Sequence, residues 1–356
     1  MIPERFFLFS LTPATADFIM ILFFYRSLFM SSVPYSRYLV GPVPWYSFLI
    51  VTGVVLAIIL ACRGERRSGL PRDTVIDLAL WLLPCGIVGA RIYYVVFSWD
   101  SFRNDLLSIF RIWEGGIAIY GGIIAGVIVL FVFCRVRRLP SLQVCDLIVP
   151  GLALAQCIGR WGNWFNMEAY GAAVSNPALC FFPLAVQIPD DGYAWHLATF
   201  FYESLWDFLI FLYLILARRK SFRRQGDAFF SYLFLYGAGR LVVEELRLDS
   251  LYAGSSVRVS QLLSVILCVF VLLRYSFLLY RSRRRSAVLC FTAVPAALAV
   301  ALFLLLYTLS GAFLSGLPVS RVVPFLSGCA VLLILVFFAV FRSCNAGEVR
   351  HADNKI

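Results

Sequence analysis

The segment Gly159-Arg160-Trp161-Gly162-Asn163-Trp164-Phe165-Asn166-Met167-Glu168, followed by Gly171, sets an arginine, two carboxamides and a carboxylate among aromatic rings at the end of an apolar run. Packing alone does not ask for that polar set there. The rings suit a membrane–water interface, and arginine offers planar, paired donors that match phosphate oxygens. Further on, Glu203 and Asp207 interrupt one apolar run, while Arg240, Glu244 and Arg247 crowd the end of another. Arg91, Glu114 and Tyr120 lie near the ends of two earlier runs. A charge at the centre of a bilayer costs at least about 2.5–3.5 kcal/mol, so each such position needs a reason. Arginines, carboxylates and amides gathered at one level suit the phosphate-bearing head group of a lipid, with the carboxylates holding the arginines and limiting their repulsion. Simpler readings compete at some positions. Arg91, Glu114 and Arg247 read as interface anchors that snorkel. Arg240 and Glu244, four residues apart, also suit a pair on one helix face. Asp146 and Asp207 read as structural acids. The Gly115-Gly116 and Gly121-Gly122 pairs fit close helix packing, with Gly122 and Gly126 forming a small-residue face.

These residues need a scaffold of membrane helices. The chain has 356 residues, 61% hydrophobic and 14% charged, with a mean hydropathy of +0.85. A soluble domain is roughly 45–50% apolar and about 25% charged, so this composition excludes one. Apolar stretches long enough to cross a bilayer fall at about Trp45–Cys62, Leu78–Phe97, Gly115–Cys134, Ser141–Gly159, Phe200–Ala217, Ala228–Glu245, Val259–Tyr280, Ala287–Leu309 and Val322–Phe341. The expected fold is all-α: a polytopic helical membrane protein with a seven-helix core and two extra C-terminal transmembrane helices that read as functionally silent. The expected divisions are an N-terminal extension over 1–43, a core over 44–285, the extra pair over 286–341 and a cytoplasmic tail over 342–356. The N-terminal stretch fits an extra span, an interfacial helix or a start at Met30. The longest outer connection is expected from Arg160 to Thr199, and a loop of that length is usually functional.

The formal net charge is +11. The basic residues stand in short blocks between apolar runs, as topology-setting loop charges do, which argues against nucleic acid as a partner. One set of loops and the tail hold nineteen basic residues against six on the other side, counting Arg63 to Arg72, Arg135 to Arg138, Arg218 to Arg224, Arg281 to Arg285 and Arg342 to Lys355 in the first set. The richer side is cytoplasmic, so the polar residues at the opposite span ends face the outer leaflet. Ten cysteines without zinc or redox spacing and two histidines, His196 and His351, point to no metal and no disulfide framework.

Segments around these residues resemble the prolipoprotein diacylglyceryl transferase family. The stretch Gly159–Gly171 resembles its signature G-R-x-G-N-F-x-N-x-E followed by glycine, with Trp164 in place of the usual phenylalanine. Trp45-Tyr46, Gly89-Ala90-Arg91-Ile92-Tyr93-Tyr94, His196–Ser204 and Tyr236–Arg247 resemble other family motifs in order and spacing. The resemblance covers about Pro44 to Tyr280. It implies transfer of the diacylglyceryl group of phosphatidylglycerol to the lipobox cysteine of a prolipoprotein signal peptide, with a thioether formed and glycerol phosphate released, in the bacterial cytoplasmic membrane and without a cofactor. By that resemblance Arg160 and Arg240 hold the phosphate and Glu244 orients Arg240. Asn163, Asn166, Glu168 and Tyr46 shape the head-group pocket, Gly171 permits a turn, and Glu203 supports the site or accepts a proton. One position departs. The family commonly has H-G-G where this chain has Tyr120-Gly121-Gly122, and a phenol of pKa ~10 is a poor base at neutral pH. The alternatives are another lipid-head-group enzyme on the same scaffold and a transporter or binder of anionic lipids. The absence of related halves and the outer position of the polar cluster speak against transport, whose sites usually lie near the midplane.

Overall fold

The computed structural model describes residues 36–217, 221–248, 252–253, 257–281, 294–310 and 319–353. The expected N-terminal span or interfacial helix over residues 18–33 lies outside them. Nine α-helices lie among the described residues: α1 (Trp45–Ser68), α2 (Thr74–Phe97), α3 (Ile119–Val136), α4 (Ser141–Asn166), α5 (Thr199–Ala217), α6 (Asp227–Leu246), α7 (Val259–Arg281), α8 (Val294–Ser310) and α9 (Val319–Asp353). Three short antiparallel hairpins join them at their ends: β1–β2 (Tyr38–Val40 with Val43–Pro44), β3–β4 (Ala185–Ile188 with Ala194–Leu197) and β5–β6 (Tyr252–Ala253 with Val257–Arg258). The chain is a polytopic helical membrane protein. Among the described residues, seven helices are long and apolar enough to cross a membrane: α1 to α5, α7, and α9 over Val322–Asn345. Helix α6 is not among them, because Arg240, Glu244 and Glu245 sit in its last two turns. Seventeen residues of α8 are described.

Small residues set the helix spacing. At Gly151 of α4 an added Cβ would stand 2.8 Å from the Ala57 carbonyl oxygen, and at Gly53 of α1 it would stand 3.1 Å from Ala155 Cα. Backbones this close gain packing that larger side chains forbid. Helices α2 and α3 meet in the same way through Gly89 and Gly121, and Gly121 also lies under Tyr93. The expected Gly122–Gly126 face is therefore displaced: Gly121 makes the close approach, and a Cβ at Gly126 would meet nothing within 4 Å.

Two boundaries differ from the sequence reading with consequences for the site. Helix α4 does not stop at Gly159. It continues to Asn166 and ends where Met167 turns left-handed at φ 54°. The signature is thus the last two turns of a helix rather than the start of a loop, and the long connection begins at Met167. Helix α3 begins at Ile119 rather than Gly115. Gly115 and Gly116 precede it at φ 93° and 74°, a region that side chains with a Cβ disfavour.

The buried acids Asp146 and Asp227, at the helix ends opposite the signature, are structural. Asp146 of α4 accepts the backbone N–H groups of Gly226 (2.6 Å) and Phe229 (2.9 Å), which belong to the start of α6. Asp227 accepts from the backbone N–H groups of Arg223 and Arg224 (both 3.0 Å), from the Tyr275 hydroxyl (2.7 Å) and from the Asn345 amide (3.1 Å). Asn345 belongs to α9, whose Phe337 stacks on Phe234 of α6 with centroids 4.4 Å apart. A chain ending after Ser286 loses α8 and α9, but Asp227 keeps three donors, and lipid replaces Phe337 against Phe234. Membrane helices associate by packing rather than by exclusion from water. The shortened chain should insert, keep part of its activity and melt earlier in detergent. A membrane-stable but wholly inactive product would assign the last two helices to the active fold.

Candidate active site

Helices α4, α5 and α6 bring their charges together toward one side of the membrane. Helix α5 lies close on α6 because Gly239 has no side chain: the Trp206 indole occupies the space a Cβ would need. The Trp206 N–H donates to the Leu235 carbonyl at 2.9 Å. That contact sets Glu203, one turn before Asp207 on α5, against Arg240. The Glu203 carboxylate is only 6% exposed and is shared by three arginines. Arg160 Nε meets Oε2 at 2.6 Å, Arg240 Nη1 pairs with Oε1, and Arg247 Nη1 reaches Oε1 at 3.4 Å. Arg240 Nη2 also meets Glu244 Oε2 at 2.6 Å, and Glu244 is 1% exposed. Three guanidinium groups thus stand on the two carboxylates they pair with at a partly buried spot, and guanidinium donors gathered in this way suit phosphate oxygens. Arg160 uses Nε on Glu203 and also shares a hydrogen bond with the Tyr236 hydroxyl, which leaves further Nη donors for a ligand.

Four of the sequence candidates therefore meet directly: Arg160, Glu203, Arg240 and Glu244. Arg247, expected to be an anchor, belongs with them. Its spacing gives the signal, since 240, 244 and 247 follow the i, i+4, i+7 pattern of one helix face. Arg91 differs too. It does not snorkel. It is 7% exposed and donates to the carbonyl oxygens of Ser108 (2.7 Å), Ile109 (2.9 Å), Gly115 (2.7 Å) and Gly116 (2.7 Å), folding the α2–α3 connection onto the end of α2. The side chain of Glu114 lies outside the described part.

The remaining candidates surround this cluster. Asn163, one turn beyond Arg160 on α4, is half-buried; its backbone carbonyl accepts from Glu168 N–H at 3.0 Å, and its carboxamide has no hydrogen-bond partner among the described residues. Tyr46 of α1 packs on Gly162, where a Cβ would stand 2.6 Å from its ring. Trp45 stacks on Phe165 with centroids 4.8 Å apart, so α1 buttresses the end of α4. Asn166 donates to Glu168 (3.2 Å) and accepts from Arg37 (3.3 Å) at a more exposed position. Gly171 is not needed for a left-handed turn, which Met167 and Ala169 make at φ 54° and 57°. Its role is close approach: a Cβ there would lie 2.6 Å from the Leu246 carbonyl oxygen and 2.9 Å from Thr199. His196 faces two acceptors, the Gly171 carbonyl oxygen at 2.9 Å and Asp191 Oδ2 at 2.8 Å, and so ties the β3–β4 hairpin to the end of the signature.

Tyr120 at the start of α3 shares a 3.3 Å hydroxyl contact with Ser260 of α7 and contacts none of the arginines of the cluster. Losing one neutral hydrogen bond costs about 0.5–1.5 kcal/mol, or at most roughly tenfold in rate. Tyr120→Phe should therefore keep a readily measured turnover across pH 6 to 10, a window of about four units around the phenol and thiol values. A loss beyond about a thousandfold, with a limb missing from the pH profile, is the signature of a proton-carrying group and would overturn that assignment.

Fold and site define a polytopic membrane protein with a partly buried arginine–carboxylate cluster where three of its helices meet. The model of the prolipoprotein diacylglyceryl transferase family matches residues 37–277. The chain belongs to that family. It is 45% identical over 232 residues to the phosphatidylglycerol–prolipoprotein diacylglyceryl transferase of Enterococcus faecalis, covering 64% of this chain and 84% of the relative. The protein of that name in Limosilactobacillus reuteri is 45% identical over 243 residues, covering 65% and 86%. Its counterpart in Streptococcus mutans is 46% identical over 234 residues, covering 64% and 89%. Helices α8 and α9 lie beyond the matched residues.

Proposed function

We propose that the chain transfers the diacylglyceryl group of phosphatidylglycerol to the lipobox cysteine thiol of a prolipoprotein, forming a thioether and releasing glycerol phosphate. The observation that carries this reading is the Glu203 carboxylate bridging Arg160 and Arg240 beside the signature helix end. The reaction is alkyl transfer. A thiolate attacks the glycerol carbon, and the phosphate oxygen leaves with the bonding pair. Arg160 and Arg240 meet that phosphate, Arg160 through its Nη donors. Fixed donors in a dry site stabilise developing charge strongly, because they need no reorganisation as it forms. Their positive field also favours the thiolate over the thiol. Glu203 and Glu244 hold the arginines in register. With both oxygens in ion pairs, Glu203 acts as a support rather than a proton acceptor. Asn163, beside Arg160 with a free carboxamide, meets the hydroxyls of the head group. Asn166, Glu168 and Tyr46 bound the pocket. The loop charges support a site facing the outer leaflet of the bacterial cytoplasmic membrane, where the signal peptide emerges.

The test is the purified full chain in phosphatidylglycerol vesicles with a lipobox peptide, read as thioether product by mass and as glycerol phosphate released. Product from phosphatidylglycerol, and none when the peptide cysteine is replaced by serine, supports the transferase. Lipid binding without thioether formation would move the chain to the class of binders or transporters.

A further inference from the structure

The reaction releases the proton of the thiol, and the carboxylates that touch the arginines are committed. Glu203 carries three ion pairs and Glu244 pairs with Arg240. Glu245 pairs with Arg258 and accepts from Gln261. Asp207 differs. It lies one turn below Glu203 on α5 and is 2% exposed, and its Oδ2 has no hydrogen-bond partner. It lines a small cavity with Arg160, Glu203, Tyr236 and Arg240. The ionisable groups around it are Cys157 and Arg160 of α4, Glu203 of its own helix, and Tyr232, Tyr236 and Arg240 of α6. A buried carboxyl without hydrogen bonds is costly to keep, and such groups mark proton pathways in membrane proteins.

We propose that Asp207 is the terminal acceptor of the lipobox thiol proton, a role that rests on the transferase reading above. The S–H bond breaks and its proton passes to the Tyr236 hydroxyl, whose own proton crosses the shared cavity to the Asp207 carboxylate. The sulfur lone pair then forms the S–C bond. The C–O bond breaks, and its electron pair stays on the phosphate oxygen. The phosphate goes from one negative charge to two as Asp207 loses its own, so the field around Arg160 and Arg240 stays level through the step. The product takes the proton from Asp207 as it departs.

The experiment compares the wild-type chain with Asp207→Asn and Asp207→Glu in phosphatidylglycerol vesicles, each with a cysteine and a selenocysteine lipobox peptide, across pH 6 to 9 (about three units spanning the ordinary thiol value). A selenol is already ionised at neutral pH and needs no acceptor. For the cysteine peptide Asp207→Asn should lose about 10²–10⁴-fold in kcat, with little change in KM for lipid and a rate that climbs with pH. For the selenocysteine peptide it should stay within tenfold of wild type. Asp207→Glu, which keeps the carboxyl, should hold the wild-type ratio between the two peptides, and it decides the matter if the Asn variant does not accumulate. Equal losses on both peptides, or no loss on either, overturns the role of Asp207. A wild-type chain inactive on both peptides would overturn the transferase reading instead.

Discussion

Arg160→Lys should fail nearly as badly as Arg160→Ala, with kcat/KM falling about 10²–10³-fold in each, the loss seen when one preorganised donor to a developing oxyanion is removed. The reason is geometric. Arg160 spends Nε on Glu203 at 2.6 Å and one hydrogen bond on the Tyr236 hydroxyl, while its other Nη donors remain for a phosphate. A lysine ammonium is a point charge on a flexible stem and cannot meet a carboxylate and a phosphate from one rigid plane. The measurement is turnover of a lipobox peptide by protein reconstituted at matched amounts. Near wild-type turnover by Arg160→Lys would remove the paired-donor role and leave only a need for positive charge.

Glu203→Gln should be the most damaging of the isosteric changes to stability. It keeps the volume and removes the charge that Arg160, Arg240 and Arg247 share. Breaking a buried ion pair by removing one partner costs roughly 3–5 kcal/mol, because the other charge is left buried without compensation. The variant should accumulate poorly, melt earlier in detergent and be inactive. Wild-type yield and melting temperature would mean that the arginines find other counter-charges and that Glu203 is not the keystone of the cluster. The two variants also separate two effects. Arg160→Lys should lower rate more than stability, and Glu203→Gln should lower both.

The membrane fold was legible in the sequence because a bilayer demands long apolar helices. The ends were less legible. Nothing in apolar periodicity says that Gly159–Asn166 continues the helix, since its polar residues look like a loop until Glu203 of α5 is placed beside Arg160. Types and spacing picked out Arg160, Glu203, Arg240 and Glu244. Arg91 and Arg247 were misjudged for one reason: an arginine at a span end is ambiguous until its acceptors are known, and these lie on other segments. Arg91 needs carbonyl groups seventeen or more residues away. Arg247 needs a carboxylate on the preceding helix. Asp207 showed its burial in the sequence, but only the packed helices reveal that it lacks a partner.

The dispersal of this cluster over three helices bears on how the protein is made. Spans enter the bilayer in chain order, and α6 brings an arginine and three carboxylates with it, in a scale where Arg or Asp at a helix centre costs about 2.5–3.5 kcal/mol. Its predecessors are ready for it. Glu203 on α5 awaits Arg240, and Asp146 on α4 awaits the bare backbone N–H groups of Gly226 and Phe229. Helices α4 and α5 thus form a docking cleft for a span too polar to settle by itself, and biogenesis becomes its own checkpoint. A nascent chain that stalls before α6 lacks Arg240, so the cluster around Glu203 is completed only when α6 has docked.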